Sequence, residues 1–309
     1  MTTIELSAVS RWFGNVVAVN DVTMHIGPGV SGLLGPNGAG KSTLLNMAAG
    51  FLAPSTGTVT LDGRPTWRDE SIYRLVGLVP EREAMFDALT GTQLVLANAR
   101  LHGLRDAAGA AHRAVDAVEM AAAADRPVAT YSKGMRQRIK MATALVHEPA
   151  VLLLDEPFNG MDPRQRLQLM DLLHRLGEQG RTVLFSSHVL EEVEQVAGSI
   201  QVMVAGRHAA SGDFRQIRRL MTERPHQYVV RSSDDRLLAA AVIAEGSAFG
   251  VELRADRESP GGALHVQAAD ARRFAHALPV LAAQHGVRLF EVHPTDESLD
   301  SVFGYLVAG

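Results

Sequence analysis

The segment GPNGAGKST at positions 35–43 constrains the fold more than any other part of the chain. It fits the pattern G-x-x-x-x-G-K-[ST] from Gly35 to Ser42, with an apolar run before it and a helical pattern after it. Glycines at such a joint let backbone N–H groups turn toward phosphate at a helix N-terminus. Lys41 is then placed to reach the β- and γ-phosphates of a nucleotide, and the Ser42 hydroxyl is placed to bind Mg²⁺. A chance glycine turn is the alternative, and the flanking pattern disfavours it.

Two adjacent acids follow a second apolar run, AVLLLDEP at 150–157. A continuous apolar run is typical of a strand buried on both faces of a parallel sheet. An acid at the end of such a strand holds the metal in phosphate-loop enzymes, and Asp155 has that position. Glu156 is placed to polarise or deprotonate a water that attacks the γ-phosphate. Acids also follow strands as ordinary helix caps, which explains Asp162 before Pro163 well but two adjacent acids poorly.

A histidine ends the next predicted strand, TVLFSSH at 182–188. Ligands of open α/β sheets bind at the carboxyl edge of the strands, where a neutral imidazole can contact a γ-phosphate. Most of the twelve histidines are expected at the surface. The prediction for His188 therefore depends on its position alone.

Strand patterns alternate with helical patterns over residues 4–206, which predicts a layered α/β domain. The region 87–148 is predicted to be helical, with breaks near Gly103 and Arg126-Pro127, and its alanine-rich part 107–124 also has helical spacing. The predicted strands are 4–9, 17–26, 30–34, 58–63, 74–80, 150–157, 182–188 and 200–206, and the other predicted helices are 164–177 and 189–196.

A second domain is predicted after a boundary near TERPHQ, so that the first covers residues 1–222 and the second 226–309. The pattern in the second domain is βαββαβ, which predicts a small α+β ferredoxin-like fold, followed by a helix at 296–307. One face of that last helix carries Leu299, Val302, Phe303 and Leu306. Core packing is the favoured interpretation of these four residues, and support or regulation of a dimer is the alternative.

The bulk properties exclude several classes of protein. A formal net charge of −4 argues against general binding to nucleic-acid backbones. The absence of cysteine excludes disulfides and cysteine metal sites. The longest apolar runs fall well short of the ~20 residues that cross a bilayer, and the N-terminal residues do not fit a signal peptide. We therefore expect a soluble chain, or one that reaches a membrane only through a partner.

These motifs, in this order over residues 4–210, resemble the ATP-binding subunits of ABC (ATP-binding cassette) transporters. The quoted segments are GPNGAGKST, the loop after VGLVP, YSKGMRQR, VLLLDEP, NGMDP and SSH. The resemblance implies a P-loop ATPase domain with a mixed sheet core, an antiparallel β subdomain and a helical subdomain. It also implies ATP and Mg²⁺ as ligands.

The resemblance also implies roles for individual residues. Phe13 matches the aromatic residue that stacks on adenine, where the family usually has tyrosine, and Trp12 is a weaker candidate. Asp155 matches the Mg²⁺ acid, Glu156 the catalytic base and His188 the switch histidine. Residues 159–162 match the loop that couples two nucleotide sites across a dimer. The residues that match the phosphate loop are Gly35, Asn37, Gly38, Gly40, Lys41, Ser42 and Thr43.

Two segments depart from the family pattern. Glu81 in VPERE replaces a glutamine that usually binds Mg²⁺, so an oxygen ligand is kept and a charge is added. The usual signature Leu-Ser-Gly-Gly-Gln is Tyr-Ser-Lys-Gly-Met at 131–135. Ser132 and Gly134 remain, and a serine with bare backbone at a helix N-terminus favours an anion. For Ser132, a plain N-cap before a basic helix is the alternative. Solvated or structural roles are predicted for the basic residues of that helix, Arg136, Arg138 and Lys140.

In this family the signature of one subunit completes the ATP site of the other, in a head-to-tail homodimer or heterodimer. The resemblance thus implies that ATP-driven closure moves a polytopic membrane permease subunit, whose coupling helix contacts the region 87–148. The chain would then lie at the cytoplasmic face of the membrane. The segment DALTGTQLVLANARLHGL, the signature and the ending PTDESLDSVFGYLVAG resemble the exporter-type branch.

Two other functions compete with this interpretation. A soluble cassette ATPase that acts on nucleic acid or ribosomes commonly has paired cassettes, zinc cysteines or long coiled coils, and the sequence shows none of these. A kinase of small molecules would share the phosphate loop, but the signature and His188 argue against it.

Overall fold

The computed structural model describes residues 2–82, 85–213, 226–254, 263–268 and 270–294. It divides into two compact units, residues 1–214 and 215–309. The predicted boundary, between residues 222 and 226, lies in the segment 223–225, which is outside the described residues. The predicted helix 296–307 with its four apolar residues is also outside them. The assignment of separate domains at that boundary stays a prediction.

Strands and helices alternate through the first unit. Its strands are β1 (Ile4–Phe13), β2 (Val16–Ile26), β3 (Gly29–Leu34), β4 (Thr56–Leu61), β5 (Arg64–Pro65), β6 (Val76–Val79), β7 (Val151–Leu154), β8 (Thr182–Ser187), β9 (Ser199–Val204) and β10 (Arg207–Gly212). Its α-helices are α1 (Lys41–Ala48), α2 (Gly91–Leu101), α3 (Ala107–Ala117), α4 (Lys133–Leu145), α5 (Pro163–Glu178) and α6 (Leu190–Val196), with short 3₁₀ turns at Glu70–Arg74 and Val128–Thr130.

A six-stranded mixed sheet brings the sequence motifs to one edge. Its order is β10-β9-β3-β8-β7-β6, with β10 antiparallel to β9 and the other neighbouring strands parallel. Leu34 at the end of β3 pairs with Ser187 at the end of β8, and Leu154 at the end of β7 pairs with Val79 at the end of β6. The loops that follow these four strands therefore lie side by side at the carboxyl edge.

A second sheet, of order β2-β1-β4-β5, is antiparallel. Its inward-facing residues share one hydrophobic core with α1 and the mixed sheet, including Ile4, Leu44, Val59 and Leu153. Because α1 is held in this core, the loop that precedes it is anchored at both ends.

The alanine-rich helix is shorter than its composition predicts. Helical spacing predicts a helix over 107–124, but α3 ends at Ala117. Glu119 adopts a left-handed backbone with φ 54, which an α-helix cannot continue through. The breaks predicted near Gly103 and Pro127 lie between helices, as expected.

The second unit has the predicted βαββαβ order. Its elements are β11 (His226–Ser232), α7 (Asp235–Glu245), β12 (Gly250–Arg254), β13 (Ala263–Ala268), α8 (Ala271–Gln284) and β14 (Leu289–Pro294). The sheet order β12-β13-β11-β14, antiparallel throughout, is that of a ferredoxin-like fold. Val230, Leu264 and Phe274 lie in its own hydrophobic core. In neither unit do the described residues include a helix that is long and apolar enough to span a bilayer.

Candidate functional site

The phosphate loop has the backbone geometry that its glycines predict. Gly38 and Gly40 have φ 81 and 95, in the left-handed region that favours glycine. A Cβ on Gly40 would lie 2.3 Å from the Ala18 carbonyl oxygen, so a side chain there is excluded. Gly40 is the N-cap of α1 and no described side chain caps this terminus, so the first-turn N–H groups are open to an anion.

A cavity of about 400 Å³ lies against this terminus. Its lining brings together most of the predicted phosphate-loop residues with the two predicted carboxylates Glu81 and Glu156, from the loops after β6 and β7. The described lining residues are Ala18, Asn37, Gly38, Ala39, Gly40, Lys41, Ser42, Thr43, Glu81 and Glu156.

Lys41 is buried and makes three polar contacts at the cavity. Its Nζ donates to the carbonyl oxygens of Gly35 at 2.7 Å and Pro36 at 3.2 Å. The same atom lies 3.4 Å from Glu156 Oε1, and both side chains are less than a tenth exposed. Lys41 therefore lines the cavity, and its ion pair with Glu156 is a contact that only the fold shows.

Glu156 has an uncommon backbone conformation, and only one of its two carboxylate oxygens is hydrogen-bonded. Its φ of 49 lies in the left-handed region, which is uncommon for a side-chain-bearing residue and often found at functional sites. The Oε2 atom is hydrogen-bonded to His188 Nδ1 at 3.0 Å. The Oε1 atom is buried and makes no hydrogen bond to a described residue. The Oε2 atom is thus held by a hydrogen bond, whereas the Oε1 atom has the Lys41 ammonium 3.4 Å away.

The environment of Glu156 shifts its pKa. Burial raises the pKa of this carboxyl above its ordinary value, while Lys41 and His188 lower it, and burial outweighs them. A carboxylate with a raised pKa is a stronger base, because it binds a proton more readily. Activity that requires ionised Glu156 is lost as pH falls through this raised pKa.

Asp155 is not among the described residues that line the cavity, and it is held by Ser186, for which no role was predicted. Ser186 Oγ donates to Asp155 Oδ1 at 2.7 Å and accepts from the backbone N–H of Glu156 at 2.9 Å. Both side chains are buried. Ser186 was visible in the SSH motif, but parallel register with β7 is what brings it beside these acids.

Phe13 does not line the cavity among the described residues. It ends β1, its side chain is 47% exposed, and the Arg11 guanidinium lies 4.5 Å from its ring centroid. The ring is exposed and is covered on one side by Arg11, and its stacking on adenine stays a prediction.

The signature residues contact the 159–162 loop and α5 rather than the cavity of the same chain. Ser132 is the N-cap of α4, and its Oγ accepts from the Met135 N–H at 3.3 Å. A Cβ on Gly134 would lie 2.0 Å from Gln165 Oε1, and one on Gly160 would lie 2.1 Å from the Lys133 side chain. Lys133, unexplained by sequence, thus packs its aliphatic stem on the neighbouring loop. The predicted N-cap alternative for Ser132 is what the isolated chain shows.

The basic residues after the signature are not a solvated face. Arg136 forms an ion pair with Asp87 at 2.8 Å, and Arg138 donates to the Glu119 carbonyl oxygen at 3.2 Å. Lys140 is buried. Structural roles, one of the two predicted alternatives, describe all three residues.

The chain is similar to known proteins, one family model matching part of the first unit and two relatives matching nearly the whole length. Residues 19–159 match the ABC transporter family. The chain is 34% identical to the daunorubicin/doxorubicin resistance ATP-binding protein DrrA of Streptomyces peucetius, over 97% of this chain and 91% of that protein. It is 29% identical to the bacitracin transport ATP-binding protein BcrA of Enterococcus faecalis, over 99% and 96%. A solved structure of an ATP-binding subunit of an ABC transporter matches with TM-score 0.64 and 27% identity, over 70% of this chain and 92% of that one.

The resemblance and the P-loop ABC fold inferred from sequence are therefore confirmed. The six-stranded mixed sheet carries the phosphate loop after β3 and the two acids after β7. The similarity to DrrA extends over nearly the whole length of both chains. The chain belongs to the ABC transporter family, as an ATP-binding subunit that hydrolyses ATP.

Proposed function

We propose that this subunit drives export through a separate membrane permease, with Glu156 as the base of the hydrolysis step. The observation that carries the chemical part is the position of Glu156, which lines the cavity with the phosphate loop and makes no hydrogen bond at Oε1 to a described residue. A buried carboxylate oxygen without a hydrogen bond is costly unless a ligand or water completes it. An attacking water supplies the missing donor.

Each side chain has a distinct part in this mechanism. The N–H groups at the start of α1 and the Lys41 ammonium hold the β- and γ-phosphates. Glu156 accepts the proton of the water, which attacks the γ-phosphate as the bond to ADP breaks. His188 keeps the carboxylate in place through Oε2 and presents its other ring nitrogen toward the γ-phosphate.

The oxygen donors at the cavity fit Mg²⁺. Ser42 and Glu81 line the cavity, and the neighbouring Asp155 accepts a hydrogen bond from Ser186. Hard oxygen ligands of this kind bind Mg²⁺ together with substrate phosphates rather than in a closed protein cage. The described residues accordingly contain no group of three or more histidine and acidic side chains close enough to hold a metal alone.

A second copy of the subunit supplies the other side of the nucleotide. The N-terminus of α4 carries Ser132 and Gly134, and neither residue lines the cavity of its own chain. In the proposed head-to-tail dimer these residues approach the γ-phosphate bound by the partner. ATP then favours the closed state because only that state offers both sets of contacts. The packing of Lys133 on Gly160 links the signature to the 159–162 loop.

Export and a permease partner are supported by the relatives and by the surface of the helical region. The relatives are named for drug resistance and bacitracin transport. In the proposed docking region 87–148, Leu101 is 84% exposed, which is high for a large apolar side chain. The proposed location is the cytoplasmic face of a membrane, by way of the permease. The nucleic-acid or ribosome alternative gains no support from these relatives.

Purification from membranes tests the proposed partner. We expect the full chain to co-purify with a polytopic membrane protein, and its ATPase rate to rise when the two are reconstituted in vesicles. Leu101→Glu should weaken this association without changing the ATPase rate of the chain alone, because Leu101 is exposed and is not among the described residues that line the cavity. A chain that purifies from membranes only with ribosomes or nucleic acid would contradict the proposal.

Two substitutions at Ser132 distinguish its role as the N-cap of α4 from its proposed contact with phosphate. Aspartate and asparagine are both good N-caps, so Ser132→Asp and Ser132→Asn should leave the melting temperature nearly unchanged. Only aspartate places a negative charge beside the partner's γ-phosphate. We expect Ser132→Asp to lower the ATPase rate at least about tenfold below that of Ser132→Asn. Equal rates in the two variants would show that residue 132 serves only as a cap.

A further inference from the structure

A buried lysine on α4 is bound to the loop that carries Glu81. Lys140 is 6% exposed. Its Nζ donates to the carbonyl oxygens of Pro80 at 2.7 Å, Arg82 at 3.3 Å and Glu81 at 3.4 Å. An ammonium has three N–H donors, and three consecutive carbonyl oxygens converge on this one. The role predicted for Lys140 from the sequence was solvated or structural, with no contact to the nucleotide site.

The loop that Lys140 binds carries Glu81, so a small displacement of its backbone would move a residue of the nucleotide cavity. Pro80 follows directly after β6, and the side chain of Glu81 lines the nucleotide cavity. A short loop that leaves a strand has few restraints of its own, and a charge-assisted hydrogen bond is about twice as strong as a neutral one. Lys140 therefore restricts the backbone from which the Glu81 carboxylate reaches the cavity.

The helix that carries Lys140 is itself firmly docked on β6. A Cβ on Gly77 would lie 2.3 Å from the Ala144 carbonyl oxygen, so only glycine permits this close approach. Beyond the helix, His147 Nε2 lies 3.1 Å from the Val76 carbonyl oxygen at the start of β6. Contacts from α4 and the residues after it thus reach both ends of β6.

We propose that Lys140 is a positioning residue that holds Glu81 for its contact with Mg²⁺ and phosphate. This inference rests on the proposed function for the role of Glu81. It also accounts for the departure at position 81: an acid in place of the family's glutamine lies on a loop whose backbone is bound by a cation. Because Ser132 is the N-cap of α4, the same lysine joins the helix of the signature to the loop of the proposed metal site.

A double-mutant cycle tests the inference on the full chain. The cycle comprises Lys140→Met, Glu81→Ala and the double variant. The readouts are the Mg²⁺ dissociation constant, measured by calorimetric titration with a non-hydrolysable ATP analogue, and the Mg²⁺ concentration that gives half-maximal ATPase activity. Loss of a group that orients a metal ligand typically costs 10–100-fold in metal affinity or activity. We expect Lys140→Met to raise both values about tenfold, and the double variant to match Glu81→Ala alone.

Matched variants exclude a general effect of the lost charge or of lost stability. Arg138→Met removes a cation from the same helix away from the loop, and should leave the Mg²⁺ requirement unchanged. Lys140→Gln keeps an N–H donor and should give a smaller shift that also disappears in the Glu81→Ala background. It replaces Lys140→Met in the cycle if that variant fails to fold.

The outcomes distinguish this inference from the proposed function. A shift in Glu81→Ala with none in the Lys140 variants, or additive shifts in the double variant, overturns the positioning role and leaves the Glu81 assignment standing. An unchanged Mg²⁺ requirement in Glu81→Ala overturns both assignments. In either case the role of Glu156 is judged separately, by the rate of Glu156→Gln.

Discussion

Glu156→Gln is expected to lower the rate of ATP hydrolysis by about 10²–10⁴-fold, the range for removal of a positioned general base. The amide has nearly the same shape and can still bond to His188, so the site should stay assembled. It cannot accept a proton from water. ATP affinity should be retained, because Lys41 and the start of α1 remain in place.

The measurement is single-turnover hydrolysis with nucleotide affinity determined in parallel. Glu178→Gln is the matched control, because it makes the same chemical change at an exposed position on α5. This control should hydrolyse ATP at the wild-type rate. A Glu156→Gln variant with the wild-type rate would show that another group removes the proton.

Lys41→Ala is expected to weaken ATP binding by about 10–100-fold, which corresponds to the loss of a hydrogen bond from a charged donor. The variant removes the ammonium that lies beside the loop carbonyls and Glu156. Since Lys41 lowers the pKa of Glu156, its loss should raise that pKa further. The acid limb of any remaining activity should therefore move to higher pH.

Equilibrium titration with ATP, together with thermal unfolding, checks this prediction. Lys41→Met keeps much of the buried stem and should show the same loss of affinity with a smaller loss of stability. Arg64→Ala removes a positive charge from an exposed position and should bind ATP normally. Unchanged affinity in both Lys41 variants would refute the role of the phosphate loop.

Elements with a strong local pattern could be predicted from the sequence. The phosphate loop follows β3 and opens α1 because its glycines satisfy a backbone requirement that few other residues meet. The acids after β7 follow from a buried apolar strand that must end at the carboxyl edge. The ferredoxin-like order follows from the alternation of patterns in 226–294.

Contacts between distant segments could not be predicted in this way. Ser186 bonds to Asp155 because β7 and β8 are parallel neighbours in one register, and no local pattern encodes that pairing. Lys140 lies in a helix of basic residues and looks solvated until α4 is packed on β6. The helix α3 ends early beside Glu119, which has a positive φ. The amino-acid composition of this region gives no sign of that backbone conformation.

In the proposed mechanism, two copies of this chain close around ATP and reopen only after Glu156 has promoted hydrolysis. Sedimentation velocity of Glu156→Gln with saturating ATP and Mg²⁺ tests this closure. We expect a stable dimer that holds two ATP molecules and returns to monomer when ADP replaces ATP. A variant that binds ATP at full stoichiometry and stays monomeric would contradict it.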